Sequence, residues 1–306
     1  MISTTLPTRA SAERGARVFQ HRPSALGEHL NVPVAARSSY IDRFYQQPCS
    51  GIVFALFRNG LDVRFGDDLL FIGSQSTPLS AFGFALDAPS LQQVLSTLKP
   101  GMEVNRESGK LKVIVSEDRR LTIDAACCEA YDLSFDSFPE DGVHVADRAR
   151  VLMEFLEPLN YGLLCGFTFS QQEHQYFDAL ACPDDERAFE AINFFCGRGF
   201  GLTPAGDDLL WGFALAHLLF NSGHPWLDSW RAYDFGQRTT LVSCAYKKTL
   251  ERGYVSEDWK SFIQSAVVGD GEALKRGLSL IQKCGHSSGN DAVFGLYLGI
   301  TSLNLV

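Results

Sequence analysis

Gly197-Arg198-Gly199-Phe200-Gly201-Leu202-Thr203-Pro204-Ala205-Gly206-Asp207-Asp208 is the stretch on which the reading of this chain turns. Its ending recurs in degraded form near the C-terminus. Gly206-Asp207-Asp208-Leu209-Leu210-Trp211-Gly212 aligns with Gly289-Asn290-Asp291-Ala292-Val293-Phe294-Gly295. The shared pattern is Gly, Asp or Asn, Asp, two apolar residues, an aromatic and Gly. Each copy follows a polar, glycine-rich loop and leads into a segment that is apolar nearly all round, Leu209 to Phe220 and Asp291 to Leu303. Such segments predict buried central helices. Their separation is too long for a solenoid unit, so the pattern predicts an internal pseudo-repeat.

A glycine-rich loop running into a helix start presents backbone N–H groups and the positive end of the helix dipole to an anion. In the first loop, Thr203 suits an N-cap and Pro204 the first helical position. Gly197, Gly199 and Gly201 allow left-handed backbone close to a ligand, and Gly206 opens the motif. Asp207 and Asp208 fall in the first turn. They repel an anion unless they hold a metal or act in protonated form; a Mg²⁺ ion bridging them to a phosphate reconciles the two. The competing account is capping of the helix dipole, worth about 0.3–1 kcal/mol per acid. In the second loop, Ser288 and Asp291 fit a capping box. His286 is a candidate acid, base or phosphate donor, with a purely structural histidine as the alternative. Ser287, Ser288, Gly289 and Asn290 are candidate substrate contacts beside it. Between the loops, Arg238 is a candidate clamp for a carboxylate or phosphate. Helical spacing places Thr239, Ser243 and Lys247 on one face, which could equally be a solvated surface. Gly162 to Gly166 reads as a close-packing turn.

The remainder of the chain supplies the setting. Its 306 residues are 45% apolar and 21% charged, as in a globular protein. The formal net charge of -9 and the lack of a basic stripe argue against nucleic acid. Eight cysteines without a CxxC pair read as reduced thiols of a cytoplasmic protein. Neither a signal peptide nor a membrane-spanning run is expected. Short alternating runs with turns, among them the Asn59-Gly60 hairpin signal, predict a β-rich barrel- or sandwich-like domain over 39–142. Residues 1–38 are expected as a partly ordered lead-in. Residues 143–306 are expected to be helical, with helices from Val145, Gln171, Asp184, Leu209, Phe235, Trp259, Gly271 and Asp291. The fold class is therefore α+β.

GRGFGLTPAGDDLLWG (197–212), RTTLVS (238–243) and GHSSGNDAVFG (285–295) resemble, in order and rough spacing, three signatures of the bacterial AllH-like family. The resemblance runs from about residue 50 to the C-terminus. The family form of the first motif is close to GLGPGLTPSGDD. Phe200 stands where Pro is usual, Ala205 where Ser is usual, and Asn290 where a Thr-like residue precedes the Asp. The lost hydroxyl at 205 puts that position's role in doubt. Through its AllH member, associated with oxamate carbamoyltransferase in allantoin breakdown, the family implies a cytoplasmic subunit. It implies carbamoyl transfer between oxalurate, or oxamate, and phosphate, or carbamoyl phosphate, and a partner subunit similar to the acyl-CoA synthetase-like FdrA protein. On that basis Asp207, Asp208 and Asp291 orient a substrate amide or a Mg²⁺ ion, and His286 moves a proton. The alternatives are a non-catalytic assembly or ligand-sensing subunit, and a metal-dependent hydrolase of small amides.

Overall fold

The structure, a computed structural model, describes residues 28–43, 48–138, 143–181 and 185–305. Among the described residues ten strands form one mixed sheet: β1 (Glu28–Pro33), β2 (Ala36–Ser38), β3 (Cys49–Phe57), β4 (Gly60–Phe65), β5 (Asp68–Ser74), β6 (Gly83–Leu86), β7 (Glu103–Glu107), β8 (Lys110–Ser116), β9 (Arg119–Asp124) and β10 (Glu129–Tyr131). Their order is β1-β9-β8-β7-β3-β4-β5-β6-β2-β10. The barrel-like expectation takes the form of a curled half-barrel with β1 and β10 at its edges. Alternation of buried and exposed side chains, clearest in β1, β7 and β8, turns one face onto a core with Val53, Leu61, Ile72, Leu111 and Leu121 at its centre. Helix α1 (Ala88–Thr97), N-capped by Asp87, packs Leu91 and Val94 into that core.

Two strands fall inside the stretch expected as a lead-in. Leu30 and Val32 of β1 are buried, and the strand runs parallel to β9 in register Leu30↔Leu121. Residues 1–27 of that stretch lie outside the described residues, as do 139–142 of the expected domain boundary and Asp184 of the expected helix start. The β3–β4 turn covers Arg58 and Asn59, one residue earlier than Asn59-Gly60. Gly60 instead pairs with Phe57 where a Cβ would lie 2.6 Å from the Ile72 carbonyl.

The second region is helical: α2 (Val143–Leu156), α3 (Tyr161–Leu164), α4 (Gln171–Leu180), α5 (Asp185–Phe195), α6 (Ala205–Leu219), α7 (Trp226–Ala232), α8 (Leu241–Glu251), α9 (Glu257–Val268), α10 (Gly271–Ile281) and α11 (Ser288–Ser302). The helix expected from Phe235 is broken. A short 3₁₀ turn at Phe235–Gln237 precedes Thr240, whose hydroxyl accepts from the Ser243 N–H and caps α8. Val242 and Ala245 of α8 lie in the core of the sheet, and Lys248 donates to the Asp67 carbonyl. The sheet thus fixes the position of α8. Among the described residues no helix is long and apolar enough to cross a membrane.

α6 and α11 form the centre of the helical region, and glycine makes their contact possible. A Cβ on Gly212 would meet the Ala292 carbonyl at 1.9 Å, and one on Gly295 would meet the Leu209 carbonyl at 2.0 Å. Gly212 aligns with Gly295 and Leu209 with Ala292, so the contact is reciprocal, as a pseudo-two-fold axis requires. The motif openings repeat the device. Gly206 lies against the last carbonyl of α5 (Phe195, 2.0 Å for a Cβ) and Gly289 against that of α10 (Ile281, 1.8 Å). Each repeat is therefore a helix, a loop and a motif helix. At the far ends, fully buried His217 pairs through Nδ1 with Ser222 Oγ (2.7 Å) and through Nε2 with Ser302 Oγ (3.3 Å). Ser302 also donates to the Gly299 carbonyl (2.7 Å), which leaves the His217 Nε2–H as donor to Ser302. Burial lowers the His217 pKa to about 3.

Two outcomes follow from this packing. Helix propensity alone makes Gly212→Ala stabilising by about 1 kcal/mol. The backbone contact makes Gly212→Ala and Gly295→Ala destabilising by roughly 2 kcal/mol or more in urea unfolding, while Gly271→Ala, where a Cβ meets only the Phe155 ring at 3.4 Å, is tolerated. A folded state that keeps His217 neutral is stable above the ordinary histidine pKa of 6.5 and loses stability as pH falls from there towards 3. Urea curves at pH 7 and 4.5 should show a smaller loss in His217→Gln than in the parent protein; equal losses would contradict the neutral assignment.

Candidate functional site

The two motif loops meet. Thr203 and Ser288 hydroxyls lie 2.9 Å apart across the axis relating α6 to α11. Around this pair open two connected spaces that share Thr203, Asp208, Trp211 and Tyr246. The outer one is a cleft of about 190 Å³ between the loops and the start of α9, completed by Ser256, Asp258, Trp259, Cys284, Gly285, Ser288, Gly289 and Ala292. Trp211 and Trp259 form its wall, ring centroids 5.0 Å apart. The inner one is a slot of about 10 Å³, room for one oxygen or water, walled by α8 through Ser243 and Lys247 and closed by Asp207, Trp230 and Phe235.

The three motif acids differ in what their oxygens do. Asp207 is buried and fully occupied: Oδ1 accepts from the Gly197 N–H (2.7 Å) and Oδ2 from the Thr239 hydroxyl. It ties the first loop to the segment before α8, where Gly197 passes so close to the Arg238 carbonyl that only glycine fits. Asp291 is fully buried; its Oδ1 accepts from the Gly166 N–H (2.7 Å), and its Oδ2 has no hydrogen-bond partner. This contact takes the place of the expected capping box. Ser287 occupies the N-cap position without a side-chain cap, and Ser288 turns to Thr203. Asp291 lines neither space, and the turn at Gly162 to Gly166 is its partner. Asp208 stands where the two spaces meet, with a buried Oδ2 that has no hydrogen-bond partner. Burial raises its pKa well above 3.8; the Ser288 hydroxyl opposes the shift and the Asp291 charge adds to it.

The other expected residues divide similarly. Thr203 gives its hydroxyl to the loop junction, so the N-cap of α6 falls on Pro204, whose carbonyl accepts from the Asp207 and Asp208 N–H groups. Gly206 N–H bonds the Arg198 carbonyl (2.8 Å) and Gly289 N–H the Cys284 carbonyl (3.1 Å). Both motif glycines therefore spend their donors inside the loops. Gly199 (φ 121°) and Gly201 (φ 95°) take the left-handed side of the map and raise Phe200, 99% exposed, at the loop tip. Asn290 Oδ1 accepts from Gln282 Nε2 (3.1 Å). Arg238 is turned away: its guanidinium donates to the Asn193 side chain (2.7 Å) and backbone (3.0 Å). His286 is exposed and lines neither space. Thr239 reaches the site only through Asp207, whereas Ser243 and Ser288 line it directly.

Several residues beyond the motifs complete the site. Lys247, 9% exposed, gives one N–H to the Arg231 carbonyl (3.2 Å), pairs with Glu251, and lies 4.8 Å from the Trp230 ring centre. Asp258 Oδ1 accepts from Ser256 Oγ (2.5 Å) and the Trp259 N–H (3.0 Å), and its Oδ2 accepts from the Cys284 thiol (3.4 Å). Burial and Asp258 push that thiol up to about 12, which keeps it protonated. Glu173 accepts from Thr168 and Ser170 and lies 3.5 Å from Arg198, steadying the start of the first loop. The aromatic position of the repeated motif was the available signal for Trp211; nothing local marked Asp258 and Trp259 as anything but a helix start.

The donor set does not fit a Mg²⁺ ion on Asp207 and Asp208. Both oxygens of Asp207 are engaged, and burial raises the pKa of both acids. Among the described residues no group of three His, Cys, Asp or Glu side chains is placed to hold a metal.

Residues 195–300 match the model of a family described as oxamate carbamoyltransferase subunit AllH. The match begins at the last residue of α5 and ends inside α11, so it contains both motif loops, α8 and the start of α9. No solved structure matches the chain.

The acids are separable by stability. Asp207→Ala strands the buried Gly197 N–H and should cost about 2 kcal/mol or more in urea unfolding at pH 7. Asp208 has a folded pKa above its unfolded one, so its favourable contribution is present below about 3.8 and is lost as pH rises. Asp208→Asn should therefore be as stable as the parent or more so at pH 7, by a margin that shrinks towards pH 4. Equal destabilisation by both variants would contradict the division.

Proposed function

From a chain that is AllH-like over residues 195–300, we propose a subunit of a carbamoyltransferase-like enzyme whose substrate sits where the two motif loops meet. The observation that carries this reading is Asp208: a carboxyl oxygen, buried and unpartnered, at the mouth shared by an aromatic-walled cleft and a lysine-lined slot. Burial shifts it towards its neutral form, which makes it the candidate proton donor of the site.

The reaction is transfer of a carbamoyl group between oxalurate and phosphate. In one direction a phosphate oxygen bonds to the carbamoyl carbon, the carbon–nitrogen bond breaks, and the departing oxamate nitrogen takes the Asp208 proton. In reverse, the Asp208 carboxylate takes an oxamate N–H proton as the nitrogen attacks carbamoyl phosphate. Thr203 and Ser288 hydroxyls flank the reacting groups, Asp207 and Asp291 act by holding the loops, and phosphate itself serves as nucleophile. A partner subunit similar to the FdrA protein completes the enzyme. One observation favours a second reading, in which this chain assembles or senses and the partner carries the chemistry: the exposed apolar tip of Phe200 and Leu202 beside the cleft suits burial by another protein.

The test is carbamoyl phosphate formation from oxalurate and phosphate by the purified chain, alone and with the FdrA-like partner. Asp208→Asn should lower kcat by about 100-fold or more, the usual scale for loss of a general acid, without loss of thermal stability. Unaltered turnover in that variant would assign the chemistry to the partner and leave the assembly reading.

A further inference from the structure

Most side-chain donors around the outer cleft are already committed. Ser256 and Cys284 both give their protons to Asp258. The Thr203 and Ser288 hydroxyls bond each other, and the Trp211 indole N–H is sealed into the wall. Tyr246, which lines both the cleft and the slot, differs from all of these. Its ring stands edge-on against Phe82, centroids 5.0 Å apart, where the core of the sheet meets the core of the helices. Its hydroxyl has no hydrogen-bond partner among the described residues, yet it is not sealed from solvent. The groups that act on it most strongly, after burial itself, are Cys284, Asp258 and Asp208, and all three line the outer cleft. The hydroxyl therefore opens into that cleft. Burial and these neighbours raise its pKa above the ordinary tyrosine value, so the phenol keeps its proton and stands ready to donate.

We propose that the Tyr246 hydroxyl is a catalytic hydrogen-bond donor to the carbonyl oxygen of the carbamoyl group. This rests on the carbamoyltransferase reading and adds to it a residue outside the three sequence motifs. As a phosphate oxygen bonds to the carbamoyl carbon, the carbonyl electron pair moves onto the carbonyl oxygen. The Tyr246 O–H bond to that oxygen strengthens as its charge grows, and the proton stays on tyrosine throughout. The pair then returns to carbon, the carbon–nitrogen bond breaks, and the nitrogen takes the proton of Asp208. Tyr246 ends the cycle as it began. The two residues divide the transition state between them, Asp208 serving the leaving nitrogen and Tyr246 the oxygen. Ser256 or Cys284 would first have to give up a bond to Asp258, whereas Tyr246 has none to break. A donor already free and already aimed adds no reorganisation cost to the step.

Tyr246→Phe tests this, because it keeps the ring against Phe82 and removes only the hydroxyl. Carbamoyl phosphate formation from oxalurate and phosphate is followed for the full-length parent, Tyr246→Phe and Asp208→Asn, each with the FdrA-like partner. Tyr246→Phe should lower kcat by about 100-fold or more, the scale for loss of one oxyanion donor. Its KM for oxalurate should stay within about three-fold of the parent value, since the bond is made chiefly in the transition state. Its urea midpoint should not fall, because no hydrogen bond of the folded chain is lost. A ring that merely fills space would leave kcat unmoved. Full kcat in Tyr246→Phe beside an impaired Asp208→Asn overturns the role of Tyr246 and leaves the carbamoyltransferase reading standing. A raised KM with full kcat does the same, and so does a lowered urea midpoint, which would give the hydroxyl a structural bond. Absence of product from the parent with its partner overturns both.

Discussion

The approach of α6 to α11 is the constraint on which the rest of this molecule depends. At Gly212 and Gly295 each helix lays its backbone against a carbonyl of the other, and a single methyl group at either position would overlap an oxygen. Such closeness fixes both the separation and the rotation of the two helices. It thereby fixes where their N-termini emerge, and the Thr203–Ser288 hydrogen bond across the axis is the result. Gly206 and Gly289 apply the same device one turn earlier, setting each motif helix onto the end of the helix before it. The glycines that look like an anion-binding loop are thus mostly instruments of packing, and what they build is the junction between two loops.

On that frame the acidic residues take different tasks. Asp207 and Asp291, one position apart in the aligned motifs, act as internal ligands for backbone N–H groups, Gly197 in one half and Gly166 in the other. Both oxygens of Asp207 are met by hydrogen bonds, whereas Asp291 keeps its Oδ2 buried without a partner. Asp208 also has an unpartnered, buried Oδ2, and of these two acids Asp208 alone lines the spaces between the loops. An uncompensated buried carboxyl costs stability, and proteins keep such groups where chemistry uses them. The β-sheet has an indirect part: by holding the face of α8 that carries Val242, Ala245 and Tyr246 it presents Ser243 and Lys247 of the other face to the slot.

Much of this was legible in the residues. The repeated Gly-Asp/Asn-Asp pattern marked the two buried helices, and the alternating runs around 51–65 and 111–125 marked the sheet. The junction of the loops was legible only as a consequence of the repeat. Less could be read about roles. Thr203, Ser288 and Asp291 have the spacing of local caps, yet in the fold each bonds a distant segment, because tertiary partners outcompete the local ones. Arg238 has the chemistry of a clamp, and the end of α5 claims it. The cation that lines the slot is Lys247, which helical spacing placed beside Ser243 without distinguishing a buried face from a solvated one. Strands β1 and β2 were missed because one lies at the edge of the sheet and the other spans three residues, and such segments leave a weak mark on side-chain pattern. Asp258 and Trp259 come from an unrelated helix start, brought in by the docking of α9.

The most direct measurement is a crystal structure of the full chain with oxamate. The account predicts oxamate density between Asp208 and Ser288, with the Gly212–Ala292 and Gly295–Leu209 contacts in place. Density beside Arg238 or beside His286, outside both spaces, or motif loops held apart with Thr203 and Ser288 in separate surroundings, would contradict it.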